Sequence, residues 1–236
     1  MRSEPKKPRR LSAQPRRTFA IGDIHGCYVA LRTLLDELRC DSDDLIVFLG
    51  DLVDRGPDSY RVVETVRELV QSGRAICMLG NHEQMALDAQ ESAENLRFWL
   101  QVGGAQTLES YKTQTGLLAV DPAHLAFFRE DCLPFFEDEE YLYAHACIDP
   151  AVPMPEQSQH DLQWTKWFDQ GPHFSGKTIV LGHTTRRDGR PLDVAHTVCI
   201  DTFCFGGGWL TGFETTSGTF HQANEKGERQ SFARAR

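Results

Sequence analysis

Four short apolar runs in this chain each stop at a glycine that is followed by a side chain able to bind a metal. They read FAIGDIHG at 19–26, IVFLGDLVDRG at 46–56, AICMLGNHEQ at 75–84 and TIVLGHTT at 178–185. This recurrence constrains the fold more than any other feature. Runs of this length and apolar character read as buried strands, and the carboxyl ends of parallel strands are where open α/β proteins place their sites.

The segments between the runs support parallel strands. YVALRTLLDELRC at 28–40 and SYRVVETVRELVQSG at 59–73 have helical apolar spacing, so 18–21, 45–49 and 75–79 become three strands joined by helical crossovers. Residues 84–131 read as mostly helical, with breaks at Gly103-Gly104 and near Gly116. A second set of strands is expected at 141–146, 178–183, 196–203 and 209–216, which gives an α/β chain with two sheets covered by helices. A length of 236 residues suits one domain, here 18–221.

Charge is distributed unevenly. The net charge is -9, yet residues 1–17 carry seven basic side chains against Glu4. Residues 1–17 read as a disordered basic tail and 222–236 as a flexible one. The acidic body argues against a nucleic-acid partner, and no apolar run is long enough to span a membrane. Seven cysteines form an odd count without a CxxC pair, which favours reduced thiols and a cytoplasmic protein. His124, His160, His173, His196 and His221 lie among polar or loop residues and read as surface histidines.

Asp23 and His25, two residues apart in an extended segment, would point to one side of the chain and chelate. Asp51, Asn81, His145 and His183 complete a set of oxygen and nitrogen donors without a thiol, suited to Mn²⁺, Fe or Zn²⁺. Charge favours a neutral Asn81 in that set. Two divalent ions with Asp23, Asp51 and one hydroxide leave a single positive charge to face a phosphate, and a third carboxylate would cancel it. His82, next to Asn81, suits proton donation if a carboxylate such as Asp54 orients its ring. Arg55 offers a planar fork of donors for phosphate oxygens.

On these residues the chain resembles the phosphoprotein-phosphatase branch of the calcineurin-like metallophosphoesterases, bacterial type. The blocks GDIHG, GDLVDRG, GNHE, YAHACIDP and LGHT follow one another in that family's order, and the likeness runs over residues 18–216. The resemblance implies an α-β-β-α sandwich built on two central mixed sheets. It implies two divalent or trivalent metal ions, with Mn²⁺ the first choice in vitro. Asp23, His25 and Asp51 would hold one ion, and Asp51, Asn81, His145 and His183 the other. His82 with Asp54 would be the acid pair, and Arg55 a phosphate contact. The implied activity is a serine/threonine protein phosphatase, with phosphotyrosine a further candidate and a metal-activated hydroxide as nucleophile. A symmetrical dinucleoside polyphosphate hydrolase, with a small nucleotide as substrate, is the alternative. A catalytically silent metal scaffold is disfavoured because every motif is present.

The chain departs from the family at four positions. Lys166 stands where bacterial relatives carry an Arg, Cys147 and Phe203 where Gly is usual, and Val102 where Asn is frequent. Lys166 is therefore expected to bind substrate as a single ammonium, with Arg186 or Arg187, just after GHTT, as substitutes from an adjacent loop if Lys166 points to solvent. GPHFSGKT at 171–178 matches a phosphate-binding loop letter by letter, but it follows a helical segment and runs into a strand, the reverse of what that loop needs. The GGG at 206–208 reads as a hairpin turn.

Overall fold

In a computed structural model, which describes residues 14–234, two mixed sheets pack face to face. The first runs β11-β10-β9-β1-β2-β3, and is formed by β1 (Thr18–Ile21), β2 (Leu45–Phe48), β3 (Ala75–Cys77), β9 (Leu210–Glu214), β10 (Thr219–Ala223) and β11 (Arg229–Ala233). The second runs β4-β5-β6-β8-β7, from β4 (Phe135–Glu137), β5 (Tyr141–Ala144), β6 (Thr178–Leu181), β7 (Leu192–Asp193) and β8 (Thr197–Cys199). Strands β1, β2 and β3 are parallel and end the first sheet, whose other half, β9 to β11, is antiparallel; in the second sheet β5, β6 and β8 form a parallel centre between the antiparallel edges β4 and β7.

Strand alternation explains the layering. In β1, Phe19 and Ile21 face α1 (Tyr28–Leu38) and α2 (Ser59–Gln71), whereas Ala20 faces the other sheet. Val47 and Ile76 follow Ala20 and meet Tyr143, Val180 and Val198 from the second sheet. Burying a side chain of this kind stabilises by about 1.5–3 kcal/mol, so Phe48→Ala, against α1 and α2, should cost about 3–5 kcal/mol. The outer face of the second sheet is covered by Leu162 of the short α7 (Gln159–Trp164) and by Met154. This is the expected α-β-β-α sandwich.

The strands are shorter than the apolar runs because their last residues leave the ladder to form site loops. The helical region resolves into α3 (Asn81–Asp88), α4 (Ala93–Trp99), α5 (Ala105–Thr115) and α6 (Pro122–Glu130), with a break at Gly103, where φ is +130°. Among the described residues no helix is long and apolar enough to cross a membrane, and all seven cysteines are free.

The tail expected at 222–236 is a correction. Residues 219–233 form a hairpin that extends the first sheet, and Arg234 pairs with Asp193 at 2.8 Å. Glu225 in its turn accepts the Ala30 N–H at 3.0 Å, satisfying a free donor at the start of α1. Of the basic tail, residues 1–13 lie outside the described residues. Arg16 and Arg17, by contrast, bind Asp44, and Arg16 also pairs with Asp41. His124 and His173 are buried rather than on the surface: His124 bridges the Tyr111 hydroxyl at 2.7 Å and Glu64 at 2.6 Å.

Candidate active site

The loops after β1, β2, β3, β5 and β6 converge at one edge of the sandwich and carry Asp23, His25, Asp51, Asn81, His145 and His183. These loops turn within one or two residues. Among the described residues eight non-glycine residues have positive φ, and five of them are His25, Asp51, Asp54, Arg55 and His183. Backbone strain of this kind costs on the order of 1–3 kcal/mol per residue and concentrates at functional sites. The His25 φ of +47° also corrects one expectation, since the Asp23 to His25 segment is not simply extended. Two glycines make room for the carboxylates. A Cβ on Gly80 would lie 2.3 Å from Asp51 Oδ1, and one on Gly182 would lie 2.1 Å from Asp23 Oδ1.

Asp51 is central. Its Oδ2 lies 3.5 Å from His25 Nε2 and its Oδ1 lies 3.4 Å from His145 Nε2, so one carboxylate faces two histidine groups at once. Two clusters share it: His25, Asp51 and His82, and Asp51, His145 and His183, each with donor atoms within 4.8 Å of one another. Burial opposes its charge, but His145, His82, His25 and His183 around it hold its pKa below the usual range.

The imidazoles are fixed from behind. His25 Nδ1 donates to the Val53 carbonyl at 2.9 Å and His145 Nδ1 to the Leu49 carbonyl at 2.8 Å, which leaves each Nε2 as a lone pair. His183 Nε2 donates to the Trp164 carbonyl at 3.0 Å and leaves Nδ1 free. Burial pushes the His25 pKa well down, and burial with the neighbouring His145 takes His183 down to about 4. Both are therefore held in the neutral, ligating form. At His145, Nε2 meets Asn81 Oδ1 at 3.0 Å and Asp51 Oδ1 at 3.4 Å, three acceptor atoms with no proton among them. Such a convergence suits a cation, so this donor set fits the metal centre the family implies.

Asp23 is buried beside this set, and both its oxygens accept the His183 amide N–H at 3.1 Å. Burial, and then Asp201 and Asp51, raise its pKa. A nearby positive ion would oppose all three effects.

His82 and Asp54 form the expected pair, with Nδ1 2.6 Å from Oδ2. The Asp54 carboxylate also receives Trp99 Nε1–H at 2.8 Å and the Thr107 hydroxyl at 2.7 Å. Burial lowers the His82 pKa, but Asp51 and Asp54 outweigh it and the net shift is upward. Arg55 reaches the same place, its Nη1 donating to His25 Nε2 at 2.7 Å and its guanidinium lying over Phe205 at 4.7 Å.

Lys166 is exposed, and among the described residues it has no hydrogen-bond or carboxylate partner. The segment carrying it is nevertheless fastened to the site, through the Trp164 carbonyl to His183 and through the Trp167 N–H to the Thr184 hydroxyl at 2.8 Å. The loop decoy ends as expected, with Lys177 held by Glu137 at 2.8 Å and by the Asp138 carbonyl at 2.6 Å.

Sequence reasoning missed Glu83 and Asp201. Glu83 is buried and accepts four backbone N–H groups, from Gly80 at 3.1 Å, Asp51 at 2.8 Å, Leu52 at 2.7 Å and Val53 at 3.2 Å, which sets the Asp51 loop against α3. Burial and Asp51 push its pKa up to about 8, against the pull of those donors. Asp201 is buried near Asp23 and accepts the Thr185 hydroxyl at 2.6 Å. The Glu in GNHE at the start of a helix was a readable signal for Glu83. Asp201, in a run read as strand, offered none.

The calcineurin-like phosphoesterase family model matches residues 16–201. Serine/threonine-protein phosphatase 1 of Salmonella typhimurium is 34% identical over 208 residues, covering 83% of this chain and 90% of the relative. A symmetrical bis(5'-nucleosyl)-tetraphosphatase of Photorhabdus laumondii is 35% identical over 136 residues, 56% of this chain, and the match covers only 45% of that enzyme. Among solved structures, the cold-active protein-tyrosine phosphatase of a psychrophilic Shewanella species is similar with a TM-score of 0.64 at 19% identity, covering 92% of this chain and 80% of that one.

Proposed function

The chain belongs to the calcineurin-like phosphoesterase family, and on that premise we propose that it is a metal-dependent protein phosphatase acting on phosphoserine and phosphothreonine, with phosphotyrosine as a further substrate. The observation that carries the chemistry is Asp51, whose two oxygens face His25 and His145 separately. In this reading Asp23, His25 and Asp51 hold one metal ion, and Asp51, Asn81, His145 and His183 hold the other. A two-metal centre supplies Lewis-acid activation of water and neutralises charge at phosphorus.

The remaining work falls to side chains of this chain. Arg55, whose guanidinium already lies beside His25, binds non-bridging phosphate oxygens through its fork of donors. His82 carries a proton at Nε2 for the leaving alkoxide, and Asp54 stabilises the imidazolium that makes this proton available. Because Asp54 is held by Trp99 and Thr107, the ring turns little, and Nε2 stays aimed at the Asp51 side of the site, 4.0 Å from Oδ2. Lys166 adds an exposed ammonium on the segment tied to His183 and Thr184.

Protein phosphatase is preferred over dinucleoside polyphosphate hydrolase because the likeness to serine/threonine-protein phosphatase 1 extends over 90% of that relative, against 45% for the tetraphosphatase. The test is purified protein with Mn²⁺, assayed in parallel on phosphoserine, phosphothreonine and phosphotyrosine peptides and on diadenosine tetraphosphate. Phosphopeptide turnover with little tetraphosphate cleavage is expected. The reverse preference would replace this reading with the hydrolase.

A further inference from the structure

Arg55 begins a row of rings and cations that leads out of the site. Its guanidinium lies 4.7 Å from the Phe205 centroid, Phe205 meets Phe203 edge-on at 4.9 Å, and Arg187 lies over Phe203 at 5.3 Å. Phe205 also stands edge-on to His25 at 5.0 Å. The row thus starts against a candidate metal ligand and ends at Arg187, which is exposed.

Phe203 is held at a cost. Its φ is +64°, a region that bulky residues avoid, and its ring packs so closely on Gly206 that a Cβ there would lie 2.0 Å from it. A glycine at position 203 would relieve the backbone but leave Arg187 without its platform. The outer guanidinium also lacks a counter-ion. Among the described residues no carboxylate pairs with Arg187, whereas its neighbour Arg186 pairs with Asp188 at 3.4 Å and anchors the loop through its N–H to the Asp201 carbonyl at 2.7 Å. In a chain of net charge -9, an unpaired guanidinium with its rotamers limited by stacking is prepared for an anion from outside.

We propose that Arg187, carried on Phe203, is a specificity residue that binds a carboxylate flanking the phosphorylated residue of an acidic substrate peptide. This rests on the protein-phosphatase reading. The row spans at most about 15 Å from Arg55 to Arg187, and an extended peptide covers that in four to five residues at about 3.3–3.6 Å each. The acidic residue therefore lies within about five positions of the phosphate. Arg187 binds substrate away from the reacting atoms, so its contribution appears in KM, and Phe203 acts on substrate only by positioning Arg187.

The test compares kcat/KM at low ionic strength for a phosphoserine peptide flanked by Asp and for the same peptide with Ala in place of Asp, with diadenosine tetraphosphate as a third arm. Wild type is expected to prefer the acidic peptide by roughly five- to tenfold, a preference that fades with salt. Arg187→Ala should abolish the preference through KM, Arg187→Lys should restore part of it, and Phe203→Leu should weaken it. No preference in wild type, or an undiminished preference in Arg187→Ala, overturns the proposal. If wild type cleaves neither peptide but cleaves the tetraphosphate, the protein-phosphatase reading has failed, and acidic-peptide specificity fails with it.

Discussion

His82 Nδ1 lies 2.6 Å from Asp54 Oδ2, and the rest of that carboxylate is taken up by Trp99 and the Thr107 hydroxyl. Asp54→Asn keeps the shape and can keep an oxygen on His82 Nδ1, but it removes the negative charge that stabilises the imidazolium. Both Asp54→Asn and His82→Asn should lower turnover on a phosphoserine peptide by about 10²- to 10⁴-fold, and less on p-nitrophenyl phosphate, whose leaving group needs little proton donation. Because the pair acts as a unit, the double variant should be scarcely worse than either single one. Equal losses on both substrates with metal content intact would remove His82 from the role of acid.

A second expectation concerns Asp51, the residue shared by both histidine groups. Asp51→Asn keeps the shape but removes the charge that offsets two cations. Activity and bound metal, read by elemental analysis of the purified protein, should fall together. Two tightly held ions with near-normal turnover in this variant would show that Asp51 does not bridge them.

Much of this site is legible in the sequence because strand ends are local events. A short apolar run, a glycine and a donor are enough to locate Asp23, Asp51, Asn81 and His183, and the structure brings them to one edge. What escapes the sequence depends on partners distant along the chain. Strand β11 consists entirely of exposed residues and forms through backbone pairing with β10, so no apolar alternation marks it. His124 is polar by type, yet the Tyr111 hydroxyl and Glu64 satisfy both ring nitrogens and allow burial. Glu83 resembles any charged residue in a helical first turn until the amides of the Asp51 loop are placed against it.

Lys166 tests how much one ammonium contributes at the rim. It is exposed, but the residues on either side of it, Trp164 and Trp167, are tied to His183 and Thr184, which keeps its segment beside the site. Lys166→Ala should lose roughly ten- to a hundredfold in kcat/KM on a phosphopeptide, the equivalent of about 1.5–3 kcal/mol for a charge-assisted contact to phosphate. Lys166→Arg should match or exceed wild type, because the fork binds phosphate through two bonds. Unchanged kcat/KM in Lys166→Ala would assign this lysine to solvent.

Asp44 gives a prediction about acid stability that is independent of the metal site. Its carboxylate is enclosed, accepts Arg17 Nε–H at 3.1 Å and the Asp41 N–H at 3.1 Å, and lies 3.4 Å from Arg16. Burial works against its charge, but Arg17, the Asp41 amide and Arg16 together bring its pKa down to about 2. A depressed carboxylate pKa stabilises the fold above the unfolded value of about 3.9, and the benefit is lost as pH falls from there through about 2. With a discount for the solvent-exposed Arg16, the contribution is on the order of 1–2 kcal/mol at neutral pH. Urea unfolding of wild type and Asp44→Asn should therefore differ by about that amount near neutrality, and the difference should shrink below about pH 4. Asp44 precedes β2 and Asp51 follows it, so the two lie at opposite ends of that strand, and added Mn²⁺ should raise both curves without changing their separation. A separation that stays constant down to about pH 2 would mean that Asp44 contributes through shape and hydrogen bonds common to Asn, and not through its charge.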